Sequence, residues 1–198
     1  MSSIEKKRLS VLRCLMRDYL YFIRNMRNIL RIKIRFKNSD IRDPLQVSYS
    51  NISNINISNN VYIDSKCILR IVDTCRLYIG EGTYIGPYGH ISGTKNRIII
   101  GKEVLFGPRV FVSTTNHRYE DVKKPIIRQG YVSKGDVIIE DGSWIGIGSC
   151  VLSGVKIGKN SIIGANSVVT HDIPPYSIAG GSPARVIKQY DDKEKKWL

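Results

Sequence analysis

The chain has 198 residues, 42% of them hydrophobic, so it is long enough to bury one continuous core but short for two domains. Its net charge of +14 is uneven, since residues 1–40 hold 11 Lys and Arg against three acidic residues. The N-terminus lacks an uninterrupted apolar stretch with a cleavage site, and the four cysteines form no CxxC pair, which predicts a cytoplasmic protein with free thiols and no membrane span.

Residues 1–40 are predicted to form a basic, amphipathic helical arm. Apolar side chains recur there at helical spacing, at Leu12, Leu15, Met16, Tyr19, Leu20, Ile23, Met26, Ile29 and Leu30. Interleaved with them are Arg13, Arg17, Arg24, Arg27 and Arg31. This composition is typical of a helix that lies peripherally on an anionic membrane face. Packing on the rest of the chain or on a partner subunit is the alternative. No nucleic acid is expected as a partner, because the aromatic residues are not arranged for base stacking.

Residues 41–173 are dominated by aliphatic residues that recur every six positions. The unbroken series comprises Ile139, Ile145, Val151, Ile157, Ile163 and Val169. Earlier runs comprise Ile79, Ile85, Ile91, Ile100, Phe106 and Val112. A weaker set of Ile55, Val61 and Cys67 is broken at Asp73, so the first coils are predicted to be irregular. A period of six fits neither a helix nor a flat strand; it predicts a mainly β protein, a parallel β-helix of about five or six coils with three hexads per coil.

The hexad series is interrupted once, between Val112 and Ile139. These residues lie 27 positions apart, where a coil of three hexads needs only 18, so extra chain must leave the β-helix as a protruding loop at residues 114–134. The loop carries His117, one of three histidines in the chain. A lone loop histidine is usually solvated surface, although imidazole also suits general-base catalysis near neutral pH.

Two motifs around this loop resemble those of the hexapeptide-repeat acyltransferases, in particular the maltose, galactoside and surface-polysaccharide O-acetyltransferases. One is Asn-His-x-x-x-Asp at residues 116–121, and the other is Ile-x-Asp-Gly-x-Trp-Ile-Gly at residues 139–146, continued through residues 168–188. The resemblance covers residues 79–188. It implies left-handed coils, acetyl-CoA as cosubstrate, no metal, and His117 as the general base of a direct acetyl transfer.

The resemblance also implies which residues contact the donor. The donor would bind along Trp144, Gly146, Ala165, Thr170, Arg185 and Lys188, the last two being suited to the CoA phosphates. Apart from the resemblance, a carboxylate at Asp121 or Glu120 is expected to orient His117 beside Asn116, with a salt bridge to Arg118 or Lys123 as the alternative. The acceptor is expected to contact the segment that begins at Tyr88 and runs to Lys95, and the 114–134 loop, neither of which has a pattern that identifies the acceptor. Residues 174–198 are expected to form a short C-terminal extension, because Pro174 and Pro175 are predicted to end the regular strand pairing.

The resemblance further implies a homotrimer with active sites between subunits. The predicted function is acetylation of a sugar hydroxyl, on a surface-polysaccharide or lipid-linked saccharide precursor in the cytoplasm or at the inner membrane face. Acetylation of a sugar amine is a near alternative, and a non-catalytic β-helix scaffold is a more distant one. A zinc hydratase with the same fold is disfavoured, because His90, His117 and His171 lack its His-x-x-x-x-His spacing.

Overall fold

A computed structural model describes residues 3–43 and 45–198, with side chains described from Leu12 onward. Residues 1 and 2 of the predicted arm, and Pro44, lie outside the described residues. Helix α1 spans Ser3–Arg35, and two short 3-10 helices span Ile52–Asn54 and Ile126–Arg128. The strands are β1 (Asp40–Ile41), β2 (Gln46–Tyr49), β3 (Ile55–Ile57), β4 (Tyr62–Ile63), β5 (Ile68–Ile71), β6 (Arg76–Ile79), β7 (Tyr84–Ile85), β8 (His90–Gly93), β9 (Arg97–Ile100), β10 (Leu105–Phe106), β11 (Phe111–Ser113), β12 (Asn116–His117), β13 (Tyr131–Val132), β14 (Val137–Ile139), β15 (Trp144–Ile145), β16 (Cys150–Val151), β17 (Lys156–Ile157), β18 (Ile162–Ile163), β19 (Val168–Val169), β20 (Ser177–Gly181), β21 (Ala184–Asp191) and β22 (Lys196–Trp197).

The strands stack in parallel as the three sides of a coil. Side A holds β1, β4, β7, β10, β15, β18 and β20, side B holds β2, β5, β8, β11, β16 and β19, and side C holds β3, β6, β9, β14 and β17. The chain passes from A to B to C and back to A, so each coil hydrogen-bonds to the next. The predicted solenoid of about six stacked coils with an N-terminal helix is therefore confirmed.

The coils shorten along the chain. Paired residues lie 22 positions apart in the first coils, as in Gln46 and Ile68, and 18 apart in later ones, as in Cys150 and Val168. In a coil longer than three hexads, residues six positions apart no longer occupy equivalent places in successive coils. This explains why the six-residue pattern is weaker in the N-terminal half of the chain. The first coils thus depart from three hexads, as expected from the break at Asp73, although their strands are paired in register.

The aliphatic hexad positions fill the interior. All members of the unbroken series from Ile139 to Val169 are less than 1% exposed, and Phe106 is the largest fully buried side chain. Serines beside these positions are buried too, and three of them donate hydrogen bonds to carbonyls of the following coil, as Ser143 Oγ does to Gly158 O at 3.0 Å, Ser149 Oγ to Gly164 O at 2.9 Å and Ser161 Oγ to Pro174 O at 2.8 Å. The interior is thus apolar at its centre, with paired polar groups at its corners.

The end of α1 covers the first coil. Ile29 and Ile32 are buried in the core, and Asn28 Nδ2 donates to Val47 O at 3.1 Å. Asn25 makes two bonds here, since its Nδ2 donates to the O of Leu45, the residue before β2, at 3.1 Å and its Oδ1 accepts from Val47 N of β2 at 2.8 Å. These amides satisfy backbone groups of β2, the edge strand of side B. In the part of the chain that the structure describes, no helix has the length and apolarity needed to cross a bilayer.

The C-terminal segment differs from expectation. Parallel pairing continues past Pro174 and Pro175, because Ile173 bridges to Ile157 on side C and β20 pairs with β18 on side A. The chain then reverses after Gly181, and β21 lies antiparallel to β20. The prediction that the two prolines end the pairing is wrong, because they occupy a corner between two sides, where no ladder hydrogen bond is required of them.

Candidate active site

A hairpin carries His117 away from the coil. Val112 pairs with Val151, 39 positions later, whereas Val151 pairs with Val169 only 18 positions later. The extra chain leaves at the corner between sides B and C, where β12 and β13 pair in antiparallel fashion. The protruding loop predicted from the hexad gap is therefore present, and it contains this short ladder and one 3-10 turn rather than irregular chain alone.

The side chain of His117 is exposed and rests on a tyrosine. His117 lies opposite Tyr131 in the hairpin, and their ring centroids are 4.8 Å apart. Asn116 lies opposite Val132 and is also exposed. Tyr131 is a neighbour that the sequence did not indicate, because only the hairpin register brings it beside the histidine. The imidazole is thus positioned by an aromatic contact while remaining open to a substrate.

Gln129 closes the loop beyond the hairpin. Its Nε2 donates to Asp121 O and Lys124 O, both at 2.8 Å, and its Oε1 accepts from Asp121 N at 3.1 Å. The carboxylate of Asp121 accepts from Lys123 N at 3.1 Å and pairs with Lys124 Nζ at 3.2 Å. In this structure Asp121 thus forms an ion pair, but with Lys124 rather than with the expected Arg118 or Lys123, and its bonds shape the loop.

A groove lies beside the hairpin at the corner between sides B and C. Its volume is about 430 Å³. The lining residues come from three successive levels of this corner: Arg70 and Asp73, then Thr94, Lys95 and Asn96, then Arg118, Tyr131, Val132 and Ser133. Because Tyr131 also contacts the His117 ring, the groove adjoins the candidate base.

Three of the six predicted donor residues, Trp144, Arg185 and Lys188, lie on side A or on β21, which extends the sheet of side A. Trp144 pairs with Ile162, Ile162 with Ile178, and Ile178 with Lys188, which makes one row across four strands. Neighbouring strands are about 4.8 Å apart, so the row is about 14 Å long. Arg185 pairs with Gly180 near one end of it. The row is apolar over three residues and cationic at its end, which suits a pantetheine arm that leads to phosphates.

Gly146 and Ala165 lie at the corner between sides A and B. A Cβ on Gly146 would come within 2.7 Å of Ala165 N and Ile163 O, so coil stacking alone explains this glycine. Thr170 is elsewhere, at the corner between sides B and C, where its Oγ1 lies 2.8 Å from His171 Nδ1. The structure therefore brings together five of the six predicted donor residues and separates Thr170 from them.

Tyr88 lies at the corner between sides A and B, away from the hairpin. Lys66 Nζ donates to its hydroxyl at 3.0 Å, and this bond and charge lower the pKa of the Tyr88 phenol. The guanidinium of Arg109 lies 5.7 Å from the centre of the Tyr88 ring. Tyr88 is thus the centre of a small cationic cluster and does not contact His117 of its own chain.

Thiols and metal ligands add no further site. The four cysteines are free, and burial raises the pKa of Cys67 to about 11, which disfavours a reactive thiolate. Among the side chains that the structure describes, those of residues 12–43 and 45–198, no group of three or more His, Cys, Asp or Glu could hold a metal ion.

The comparisons with known proteins agree with the coil and its motifs. The family model described as "Bacterial transferase hexapeptide (six repeats)" matches residues 136–171. A galactoside O-acetyltransferase of Escherichia coli K12 is 33% identical over 161 residues, which are 81% of this chain and 66% of that protein. WbbJ of the same organism, named for O-acetyl transfer in lipopolysaccharide biosynthesis, is 28% identical over 89% of this chain and 92% of its own length.

A solved structure with the same fold is AntD, an N-acyltransferase from Bacillus cereus in complex with dTDP and 3-hydroxybutyryl-CoA. It is 27% identical, with a TM-score of 0.67 over 80% of this chain and 83% of AntD. The chain spans 46% of the length of a galactoside O-acetyltransferase from Lactococcus lactis, to which it is 41% identical. The matched repeats, the stacked coils and these relatives show that the chain belongs to the hexapeptide-repeat family of bacterial transferases.

Proposed function

We propose that this protein is an acetyltransferase that moves an acetyl group from acetyl-CoA to a saccharide hydroxyl, with His117 as the general base. The observation that carries the proposal is the pair of surfaces described above: an accessible imidazole on a hairpin, and an apolar row on side A that ends in cations. The galactoside and WbbJ O-acetyltransferase relatives support both the acyl group and the saccharide acceptor.

The chemistry requires one group that accepts and returns a proton. A ring nitrogen of His117 takes the proton of the acceptor hydroxyl as the oxygen attacks the thioester carbonyl. The tetrahedral intermediate then collapses, the carbon–sulfur bond breaks, and the CoA thiolate leaves with the proton from the imidazolium. The histidine ends neutral and no acyl-enzyme forms. Tyr131 holds the ring in place throughout by its 4.8 Å contact.

The active site lies between two subunits of a homotrimer. In one chain His117 stands at the corner between sides B and C, whereas the donor row runs across side A, so the two surfaces face different directions. A second copy that presents its side A to the hairpin brings base and thioester together. The position of Thr170 agrees with this arrangement. Thr170 is a predicted donor residue, yet it lies with His117 at the corner between sides B and C, whereas Trp144 lies on side A.

Titration calorimetry with acetyl-CoA tests the donor site first. We expect micromolar binding that is weakened at least tenfold by Arg185→Glu with Lys188→Glu and is unchanged in His117→Ala. The histidine variant should lose roughly 100- to 10,000-fold in acceptor-dependent CoA release, because general-base catalysis is removed. Full activity of His117→Ala would exclude it as the base, and undetectable acetyl-CoA binding by folded protein would favour a scaffold.

Acetylation of a sugar amine is the second candidate, and the AntD neighbour favours it because AntD is an N-acyltransferase. The two products differ in stability to mild alkali, which hydrolyses an O-acetyl ester and leaves an amide intact. Mass spectrometry of the product before and after alkali treatment separates these outcomes. Loss of the acetyl group is the expected result.

The protein associates with the cytoplasmic face of a membrane through α1. On a helical wheel of 3.6 residues per turn, α1 has three separate faces. One packs on the first coil through Asn25, Asn28, Ile29 and Ile32. The second is exposed and apolar and comprises Leu12, Leu15, Met16, Tyr19, Phe22, Ile23, Met26, Leu30 and Ile34. The third is basic and comprises Arg13, Arg17, Arg24, Arg27, Arg31 and Arg35. An apolar stripe that borders a row of arginines on one side is complementary to an anionic lipid surface.

Vesicle flotation tests this association with the full chain. We expect binding to vesicles that contain phosphatidylserine, weaker binding to phosphatidylcholine alone, and loss of binding in Leu15→Ser with Phe22→Ser. The control pair Val122→Ser with Ile127→Ser removes exposed apolar groups from the loop and should bind normally. If the helix variant changes the oligomeric state in the absence of lipid, α1 contacts another copy instead.

A further inference from the structure

We infer that the groove beside the hairpin binds an acceptor that carries a negative charge, such as a phosphate or a carboxylate on the saccharide. The inference rests on the proposed function, because it assigns the groove to the substrate that meets His117. It adds the chemical class of that substrate, which neither the hexad pattern nor the motifs contain.

The charge balance of the groove carries the inference. Arg70, Lys95 and Arg118 line it together with a single carboxylate, Asp73. All three cations are exposed, and none of them forms an ion pair with another residue in the described part of the chain. A concave site lined by unpaired cations attracts anions, and arginine recognises phosphate and carboxylate through paired hydrogen bonds.

The remaining lining suits a sugar ring. Thr94, Asn96 and Ser133 offer hydroxyl and amide groups for sugar hydroxyls, and Thr94 Oγ1 lies 3.0 Å from Thr115 Oγ1, which fixes the first of them. Tyr131 is 60% exposed and presents an aromatic surface between the groove and the imidazole. An acceptor seated here would thus have its charged group on the cations and a ring hydroxyl toward His117.

The hairpin holds one of the cations in register with the base. Arg118 follows His117 directly, and its backbone N donates to Gly130 O at 3.1 Å. Arg70 and Lys95 belong to the two preceding levels of the same corner, so they lie on the rigid coil rather than on the loop. Arg70 and Lys95 are held rigidly by the coil, and Arg118 is next to His117 in the hairpin. The groove can therefore select acceptors by the position of their charge relative to the base.

Matched acceptors that differ in charge test the inference. Binding of glucose 1-phosphate and glucose, and of galacturonic acid and galactose, is measured by titration calorimetry in the absence of donor. We expect the anionic member of each pair to bind at least tenfold more tightly. Lys95→Gln and Arg118→Gln should each remove most of this preference, whereas Lys102→Gln, on the corner between sides C and A, should leave it intact. Equal binding of charged and neutral acceptors would overturn the inference.

Titration with acetyl-CoA shows whether the groove binds the charged group of the acceptor or the phosphates of CoA. CoA also carries phosphates, so the same variants are titrated with acetyl-CoA. Unchanged acetyl-CoA affinity in Lys95→Gln and Arg118→Gln is the expected result, and a fivefold or greater loss would assign the groove to the donor and overturn the inference. Because the acceptor titrations need no turnover, they report on the groove even if the proposed acetyl transfer fails its own test.

Discussion

Corner glycines show how closely neighbouring coils approach. A Cβ on Gly80 would lie 2.4 Å from the carbonyl carbon of Gly101 and 2.6 Å from Lys102 N, both of them backbone atoms that cannot move away alone. A Cβ on Gly164 would meet nothing closer than Ala179 O at 3.5 Å. The two glycines follow equivalent isoleucines in the hexad pattern, yet only the first is required by packing.

We therefore expect Gly80→Ala to destabilise the fold and Gly164→Ala to be tolerated. Overpacking against backbone costs about 1–3 kcal/mol, whereas a substitution that creates ordinary contacts changes stability by less than about 0.5 kcal/mol. Chemical denaturation of both variants measures the difference. Equal stabilities would mean that the coils separate at the Gly80 corner at little cost.

His90 gives the stability a pH dependence. Burial lowers its pKa, with the nearby charge of Arg70 adding to the effect, and its ring packs edge-on against Phe111 at 5.2 Å. The unfolded chain therefore binds a proton more readily, so stability decreases as the pH falls below about 6.5. We expect His90→Gln to lose less stability than the parent between about pH 7.5 and pH 5.5 in urea titrations. Equal decreases in the free energy of unfolding of the parent and the variant would exclude a contribution from His90.

For single residues, the sequence predicted which side chains are buried better than it predicted which side chains contact one another around His117. The hexad positions are buried as expected, because a repeated corner forces every sixth side chain inward. Tyr131 and Gln129 were missed, since their contacts depend on hairpin register and loop closure, which leave no periodic trace in the sequence. Asp121 was assigned from its sequence position near His117, which could not tell a carboxylate that orients the base from an ion pair with Lys124.

Among the elements, the hairpin loop is closed by the side chain of Gln129, in addition to the β12–β13 ladder and the Asp121–Lys124 ion pair. Three hydrogen bonds of Gln129 join both ends of the turn that follows His117. Removing them lets the loop move without touching the coil.

We expect Gln129→Ala to lower kcat roughly 10- to 100-fold through loss of alignment, with acetyl-CoA affinity unchanged. Val122→Ala serves as the control, because Val122 is 93% exposed on the same loop. An unchanged kcat in the glutamine variant would show that the loop keeps its shape without these bonds.

The contact between α1 and the first coil depends on side-chain amides rather than on apolar area alone. The arm was predicted from its periodicity, but that pattern could not show that Asn25 and Asn28 bond to β2, since asparagine is neutral in a helical pattern. Asn28→Ala leaves Val47 O without its partner in a buried place and should cost about 1–3 kcal/mol. Asn38→Ala, which removes an exposed bond to Asn59, should cost less than about 0.5 kcal/mol in the same denaturation assay.

For the whole molecule, the proposed function makes activity depend on the assembly, because His117 and side A of one chain face different directions. Mixtures of two inactive variants test this directly. Trimers reassembled from equal amounts of His117→Ala and of Arg185→Glu with Lys188→Glu would contain sites with an intact base from one chain and an intact donor row from its neighbour. Random mixing gives about one quarter of the parental activity in a closed trimer. No recovered activity would mean that each chain supplies both surfaces itself.

The hairpin is inserted into a single coil, so its sequence can vary with little effect on the other coils. Val112 and Val151 pair as closely across the loop as other coils do without one, because each coil of a solenoid contacts only its neighbours. The exposed part of the loop, residues 116–131, can therefore differ without altering the pairing of the coils, whereas Thr114 and Lys134 at its ends are bonded to the coil.

Under the proposed function, exchanging the part of the loop beyond His117 alters one wall of the acceptor groove, while Arg70 and Lys95 on the coil and the donor row on side A stay the same. Acceptor choice can therefore change without any change in the donor site.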